Sequence, residues 1–192
     1  MQSPNKPYKT YNLKEYIQLL EESDYKIEYL NGHLKMMAGG TNAHARISGN
    51  IFGELYQLHK GNNCTPFNSD CMIAIESEKS FVFPDVSVVC GHPDFSSTMP
   101  EAIINPTLII EVLSESTELY DRTEKFQRYW NIPSLKEYVL VSQKEFNIQV
   151  YYRENKNSLW HIDAFFKADD SVFLRSINTH LSITDIYNGL EI

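Results

Sequence analysis

The stretch NPTLIIEVLSEST, residues 105–117, places one carboxylate, that of Glu111, in the middle of an apolar run. Successive side chains of a strand point to opposite faces of the sheet. Both faces are apolar here, since five aliphatic residues surround the acid: Leu108, Ile109, Ile110, Val112 and Leu113. This pattern predicts a central strand that is covered on both sides. Burying an ionised carboxylate without a partner is costly, so Glu111 should face an open cleft or a cation.

A second acid, Asp85, lies at the start of the valine-rich segment FVFPDVSVVCG, residues 81–91. The preceding residue, Pro84, has no N–H group and is confined to the start or edge of a strand. The strand is therefore predicted to open or bend at Asp85. If it is the neighbour of the strand of Glu111, the two carboxylates converge on one point. A hard cation such as Mg²⁺ would relieve their repulsion, because it takes oxygen ligands and keeps several waters.

Both acids also have a structural interpretation, which the sequence leaves open. Asp85 could cap a strand or accept hydrogen bonds from a turn, and Glu111 could pair with a helix lysine. Perturbed acids are enriched at functional sites, but structural ion pairs perturb them too.

The segment TELYDRTEKFQRYW, residues 117–130, predicts a helix directly after the central strand. Asp121, Lys125 and Tyr129 recur every four residues and share one face, which could look toward Glu111. Lys125 would then be a neighbour of the acid pair. The alternative is a surface pair between Lys125 and Asp121, worth a few tenths of a kcal/mol. The packing face is assigned to four other residues: Leu119, Thr123, Phe126 and Trp130.

The remaining elements predict an α/β fold of mixed α+β type, with a central mixed β-sheet flanked by helices, in a single domain spanning residues 1–192. They are a helix over 10–23, a hairpin with strands near 25–30 and 33–38, a helix from 41 to Gly61, strands within 64–76, a C-terminal meander of three strands from 136, and a short closing helix. Asn31-Gly32 predicts the hairpin turn.

Two more side chains are candidates for the same cleft. His44 lies in the first turn of the second helix, near its buried stripe, and could act as a base or sit beside a metal. A core or capping histidine is the alternative. Glu28 lies in the first hairpin strand between Ile27 and Tyr29, where a lone glutamate more often faces solvent.

Composition narrows the class of protein. The net charge of −8 over 192 residues is unlike that of a protein that coats nucleic acid. Three cysteines without a C-x-x-C pair predict buried thiols in a reducing compartment. No segment has the apolar character of a signal peptide or a membrane span. These features predict a cytoplasmic protein with no membrane association.

Four segments together resemble the bacterial family of putative restriction endonucleases within the PD-(D/E)XK nuclease superfamily. They are FPDVSVV, NPTLIIEVLSEST, YDRTEKFQRYWNIPSLKEYVLV and, near the N-terminus, YKIEYLNGHLKMMAGGTNAHARISGNI. The resemblance covers nearly the whole chain. It implies a restriction endonuclease-like core, cleavage of DNA with Mg²⁺ or Mn²⁺, and a homodimer.

Residue by residue, the resemblance makes Asp85 and Glu111 the metal ligands. The superfamily has a lysine two residues after the second acid, where this chain has Leu113. Some members carry that lysine on the following helix, a position that Lys125 fits. Glu28 and His44 match positions that recur in the family.

Three functions follow as alternatives. The first is a metal-dependent endonuclease with catalytic residues Asp85, Glu111, Lys125, His44 and Glu28. The second is an inactive protein on the nuclease scaffold that binds DNA or a protein partner, which the net charge and the missing motif lysine favour. The third is an Mg²⁺-dependent hydrolase of another phosphate ester.

Overall fold

A computed structural model describes residues 9–37 and 39–192, which form twelve strands and five α-helices. The strands are β1 (Ile27–Leu30), β2 (His33–Met36), β3 (Cys64–Asn68), β4 (Ile73–Ile75), β5 (Ser80–Val82), β6 (Val86–Cys90), β7 (Leu108–Leu113), β8 (Glu137–Ser142), β9 (Ile148–Tyr152), β10 (His161–Phe165), β11 (Ser171–Leu174) and β12 (Thr179–Ser182). The helices are α1 (Leu13–Glu22), α2 (Asn42–His59), α3 (Glu118–Tyr120), α4 (Phe126–Trp130) and α5 (Ile183–Ile186), and a π-helical turn, Asp121–Lys125, joins α3 to α4.

The central sheet has six strands in the order β10-β9-β8-β7-β6-β3. The pairing of β7 with β8 is parallel and the other pairings are antiparallel. All six residues of β7 are buried. The predicted mixed sheet and its central strand are therefore confirmed, and the strand of Glu111 does lie beside the strand that follows Asp85.

The segment 81–91 bends more sharply than the sequence predicted. Its first residues belong to β5, in a four-stranded sheet of order β2-β1-β5-β4, and its last residues belong to β6 in the central sheet. Pro84 lies in the break, where its missing N–H group costs no ladder hydrogen bond. The chain thus changes sheet at Asp85. The segment 64–76 divides in the same way, into β3 and β4.

Local signals place the N-terminal elements. Asn12 caps α1 in a reciprocal capping box with Glu15, and Thr41 caps α2. Asn31 and Gly32 form the hairpin turn with φ angles of 50° and 95°, which a two-residue turn of type I′ requires. The second hairpin strand was predicted to reach Ala38, which lies outside the described residues.

The two faces of β7 face different layers. Leu108, Ile110 and Val112 pack in one cluster with the buried stripe of α2. On the opposite face, Ile109 and Leu113 pack in a second cluster that includes Tyr129 of α4. Glu111 belongs to this second face by alternation.

The predicted packing face of the 118–130 helix is wrong in part. Leu119 is 77% exposed and Trp130 is 46% exposed. The buried positions are instead Asp121, Lys125 and Tyr129. The helix turns its polar face inward because that face covers a polar site on the sheet.

Two other expectations need correction. Cys64 and Cys90 lie directly opposite each other in β3 and β6 and form a disulfide, so the prediction of three thiols is wrong. Directly opposed residues of two paired strands lie close enough for their side chains to bond. The disulfide was not predicted because the pairing of β3 with β6 was not predicted. The hairpin of β11 and β12 was also missed. Within the described residues, no helix is both long and apolar enough to cross a bilayer.

Candidate functional site

The site begins where β6 and β7 part. Val86 pairs with Ile110, so the register places Asp85, just before β6, across from Glu111. Strand β7 continues past this point, and its Val112 has no strand partner on that side. The amide of Val112 instead donates a 2.7 Å hydrogen bond to Asp85 Oδ2. The Asp85 carboxylate therefore accepts the hydrogen bond that a backbone carbonyl of β6 would accept if the pairing of β6 with β7 continued.

His44 contacts the same oxygen from the layer of α2. Its Nε2 lies 3.1 Å from Asp85 Oδ2. The backbone N–H of His44 donates to the capping Thr41 hydroxyl, which fixes the first turn of α2 beside the acid. The hydrogen bond with Asp85 raises the pKa of His44 above its usual value, although burial acts against this shift. His44 is thus biased toward the imidazolium form.

Glu111 is 3% exposed and has two partners from the following helix. Lys125 Nζ lies 2.7 Å from Glu111 Oε1, and the Tyr129 hydroxyl donates to the same oxygen at 2.9 Å. Burial raises the pKa of Glu111 to about 8; Lys125 acts against this shift, and the Asp85 carboxylate adds to it. The acid thus has a high affinity for a proton or another cation.

Lys125 lies among three carboxylates. Besides Glu111, its Nζ lies 3.5 Å from Glu28 Oε1 and 3.9 Å from Asp121 Oδ1. Burial lowers the pKa of Lys125, but the three acids outweigh it and hold the pKa well above its usual value. The lysine is therefore charged, and its charge is already shared among three partners.

Glu28 is buried, with 1% of its surface exposed. Its Oε1 accepts a 3.2 Å hydrogen bond from the amide of Phe83, so β1 delivers the side chain to the point where the chain changes sheet. The alternative of a solvent-facing Glu28 is wrong. The alternative of an exposed pair between Asp121 and Lys125 is also wrong, because both residues are buried.

These groups line an open cleft of about 890 Å³. Its walls carry five carboxylates, from Glu28, Asp85, Glu111, Glu115 and Asp121, and three lysines, Lys35, Lys125 and Lys144. The acids outnumber the lysines by two, and a cation that binds beside Glu111 competes with the proton that its raised pKa favours. The structure thus brings together in one cleft all five site residues predicted from the sequence.

The fit of a divalent ion can be tested on Asp85 and Glu111. Asp85 Oδ2 and Glu111 Oε1 are held by protein groups. Within the described ranges, Asp85 Oδ1 and Glu111 Oε2 accept no protein hydrogen bond, so each acid keeps one oxygen for a ligand. No group of three His, Cys, Asp or Glu side chains suited to a metal occurs among those residues. A site with two carboxylates and several waters suits Mg²⁺, which rarely uses an all-protein cage.

Sequence reasoning missed two groups at this site. Lys35 and the Tyr120 ring lie against each other, with the ammonium 3.1 Å from the ring centroid. The hairpin register pairs Lys35 directly with Glu28. Since the Asn31-Gly32 turn fixes that register, the turn was the signal that could have placed Lys35 on the same face as Glu28.

Comparison with known proteins agrees with this architecture. The chain matches the family model Uma2, described as putative restriction endonuclease, over residues 13–184. It belongs to this family, and the predicted resemblance is confirmed.

Two uncharacterized proteins of Synechocystis sp. are similar in sequence. One, slr1290, is 37% identical over 188 residues, covering 98% of this chain and 97% of that protein. The other, sll1609, is 34% identical over 140 residues, covering 72% of this chain and 78% of that protein.

A crystal structure of a putative nuclease belonging to DUF820, from Anabaena variabilis, is similar in fold. It superposes with a TM-score of 0.73 at 18% identity, covering 92% of this chain and 97% of that one. At this identity the likeness shows the fold alone, and it confirms the predicted nuclease-like fold class.

Proposed function

We propose that the protein is a metal-dependent DNA endonuclease that hydrolyses phosphodiester bonds in the cleft between β1, β7 and the 118–130 helix. One observation carries the proposal. Two buried carboxylates line the same cleft from opposed positions, Asp85 just before β6 and Glu111 in β7, and each has one oxygen held by the protein and one left for a ligand. Membership of a family described as putative restriction endonuclease supports DNA as the substrate.

Asp85 and Glu111 would hold Mg²⁺ or Mn²⁺. When bound there, the ion lowers the pKa of a coordinated water and offsets the charge of the phosphate. The protein groups around the acids fix their orientation. The amide of Val112 and His44 hold Asp85, while Lys125 and the Tyr129 hydroxyl hold Glu111.

Lys125 supplies the cation that the superfamily motif places two residues after the second acid. Position 113 cannot present a charge to this cleft, because Leu113 packs in the apolar cluster of its sheet face. The helix supplies the ammonium from above the sheet instead, 2.7 Å from Glu111. Its charge favours the ionised form of Glu111 against the effect of burial, and its contact aligns the carboxylate for the metal.

His44 and Glu28 have supporting roles in this proposal. The raised pKa of His44 favours its protonated form beside Asp85. It can donate that proton to a developing negative charge in the cleft, as a general acid. Glu28 helps to fix Lys125, from which its Oε1 lies 3.5 Å.

A cleavage assay tests the function. Purified protein is incubated with supercoiled plasmid, short duplexes and single strands, in Mg²⁺, Mn²⁺ or EDTA. We expect metal-dependent cleavage that Asp85→Asn and Glu111→Gln reduce at least about 100-fold. Glu115→Gln is the matched control, because Glu115 lies on the rim of the same cleft with its side chain 88% exposed. Equal cleavage by all variants would reject the proposed site.

The second candidate is a protein that binds DNA or a protein partner without cleaving DNA, and the net charge of −8 favours it. Duplex binding without cleavage in either metal would select it. Cleavage of nucleotides or small phosphate esters, but of no polynucleotide, would select the third function.

A homodimer is part of the proposal. Strand β10 ends the central sheet, and three exposed apolar residues lie in or beside it: Leu159, Ile162 and Phe166. A sheet edge with exposed apolar side chains favours pairing with another chain. Sedimentation equilibrium distinguishes a dimer from a monomer, and Ile162→Lys should shift it toward the monomer.

A further inference from the structure

Lys35 differs from the other lysines of the cleft in what surrounds its ammonium group. Lys125 has three carboxylates within 4.0 Å. Lys144 pairs with Glu115 at 3.5 Å, and its side chain is 65% exposed. Lys35 has no carboxylate within 4.0 Å among the residues that the structure describes. It is therefore the cleft lysine whose charge is not already paired.

The aromatic ring of Tyr120 holds Lys35 in place. The ammonium lies 3.1 Å from the ring centroid, a cation–π arrangement that fixes position without neutralising the charge. The contact joins β2, which carries Lys35, to α3, which carries Tyr120. A positioned cation thus lies in the wall of the cleft.

The cleft needs such a cation if it admits a polyanion. Five carboxylates repel a phosphate backbone, and a single divalent ion offsets two charges. Lys125 contributes little more, because its charge is shared among three buried acids. Burial lowers the pKa of Lys35, although Glu28 acts against this, so a phosphate that approaches the ammonium would strengthen its charged form.

We propose that Lys35 is a substrate-binding residue whose ammonium group, held over the Tyr120 ring, contacts a phosphate of the polynucleotide in the cleft. This assignment rests on the proposed nuclease function and extends it to the backbone contact that seats the substrate. Lys35 contacts substrate and not the metal ligands. Its removal should therefore weaken nucleic-acid binding while the affinity for metal is kept.

The test measures duplex binding and metal binding separately. Binding of a fluorescein-labelled duplex is followed by anisotropy in Ca²⁺ at several salt concentrations, for the unaltered chain and for Lys35→Gln, Lys35→Arg and Lys144→Gln. Mn²⁺ binding without DNA is followed by electron paramagnetic resonance. Lys144→Gln is the matched control, because it removes the same charge from the rim of the same cleft.

We expect Lys35→Gln to weaken duplex binding about tenfold or more, as for loss of a charge-assisted hydrogen bond. The slope of log affinity against log salt should fall by about one. Lys35→Arg should restore most of the binding, Lys144→Gln should change it less than about threefold, and Mn²⁺ affinity should stay within about threefold in all variants.

Two results would overturn the assignment while leaving the nuclease function in place. One is a loss in Lys35→Gln no larger than in Lys144→Gln. The other is loss of Mn²⁺ binding in Lys35→Gln, since the lysine would then act on the metal site. Failure of the unaltered chain to bind duplex and single strands is distinguishable from both, and it would reject the proposed function together with the assignment.

Discussion

Replacement of Lys125 by methionine tests the electrostatics of the site. The substitution keeps most of the side-chain volume and removes the charge that lies among three buried acids. At an effective dielectric constant of about 20, a unit charge at 2.7 Å contributes roughly 6 kcal/mol. The contacts at 3.5 and 3.9 Å contribute roughly 5 and 4 kcal/mol on the same basis.

The net loss is smaller than the sum of these attractions, because burying the ammonium group itself opposes them. Breaking a buried ion pair by removing one partner typically costs about 3–5 kcal/mol. We expect Lys125→Met to lose that much free energy of unfolding near pH 9 in EDTA, where Glu111 is ionised. The loss should shrink toward pH 6, below the pKa of about 8 of Glu111, where that acid already holds a proton.

The assay is equilibrium urea denaturation, followed by circular dichroism at both pH values. Lys144→Met is the control, and it should stay within about 1 kcal/mol of the unaltered chain because its ion pair is exposed. The double variant Lys125→Met with Glu111→Gln should recover part of the loss, since it removes one of the unpaired charges. A loss in Lys125→Met below about 1 kcal/mol at pH 9, or one that does not change with pH, would refute the electrostatic reasoning.

Three further predictions concern neighbouring groups. Tyr129→Phe removes the hydroxyl that donates to Glu111 and should cost about 1–3 kcal/mol in urea denaturation; an unchanged midpoint would contradict this. The folded-state pKa of Glu111, about 8, lies above its unfolded value of 4.5, so the folded state binds more protons between these pH values. Stability should fall as pH rises through that window, by at most about 1.4 kcal/mol per unit, and Glu111→Gln should flatten the profile; an identical slope in the variant would argue against the shift. Arg153 is fully buried and donates to four backbone carbonyls, those of Trp130, Ile132, Leu135 and Lys156. Arg153→Met should therefore lower stability by at least about 2 kcal/mol in urea denaturation, and a loss smaller than that of Tyr129→Phe would contradict this.

The sequence was most informative where a local rule had a single structural outcome. Asn31-Gly32 predicted a tight hairpin turn, which the structure has. The apolar faces around Glu111 identified the central strand. Pro84 marked the opening beside Asp85. Each of these features depends on residues near one another in the chain, so it can be recognised without the tertiary fold.

The pairings between distant segments could not be predicted in the same way. No local signal shows that residues 81–91 divide between two sheets, or that β3 pairs with β6. The pairing of Cys64 with Cys90 depends on that long-range register. The buried face of the 118–130 helix was predicted wrongly for a related reason. Apolar residues normally mark the buried face of a helix, whereas Lys125 and Asp121 are buried here because they form ion pairs.

The site was only partly predictable for these reasons. The acids Asp85 and Glu111 could be found because each interrupts an apolar strand. Glu28 gave no comparable signal, and its burial depends on the approach of the amide of Phe83 from the neighbouring sheet. Lys35 was overlooked because a lysine in a short hairpin strand normally faces solvent.

Titration of Mn²⁺ into the metal-free protein, read by electron paramagnetic resonance, tests the central claim most directly. The isosteric variants Asp85→Asn and Glu111→Gln remove one proposed ligand charge each, and Glu115→Gln removes an equal charge from the exposed rim. We predict saturable binding in the unaltered chain and in Glu115→Gln, with affinity lowered at least about tenfold in each of the other two variants. Equal Mn²⁺ affinity in all four proteins would contradict the claim that Asp85 and Glu111 together hold a divalent ion.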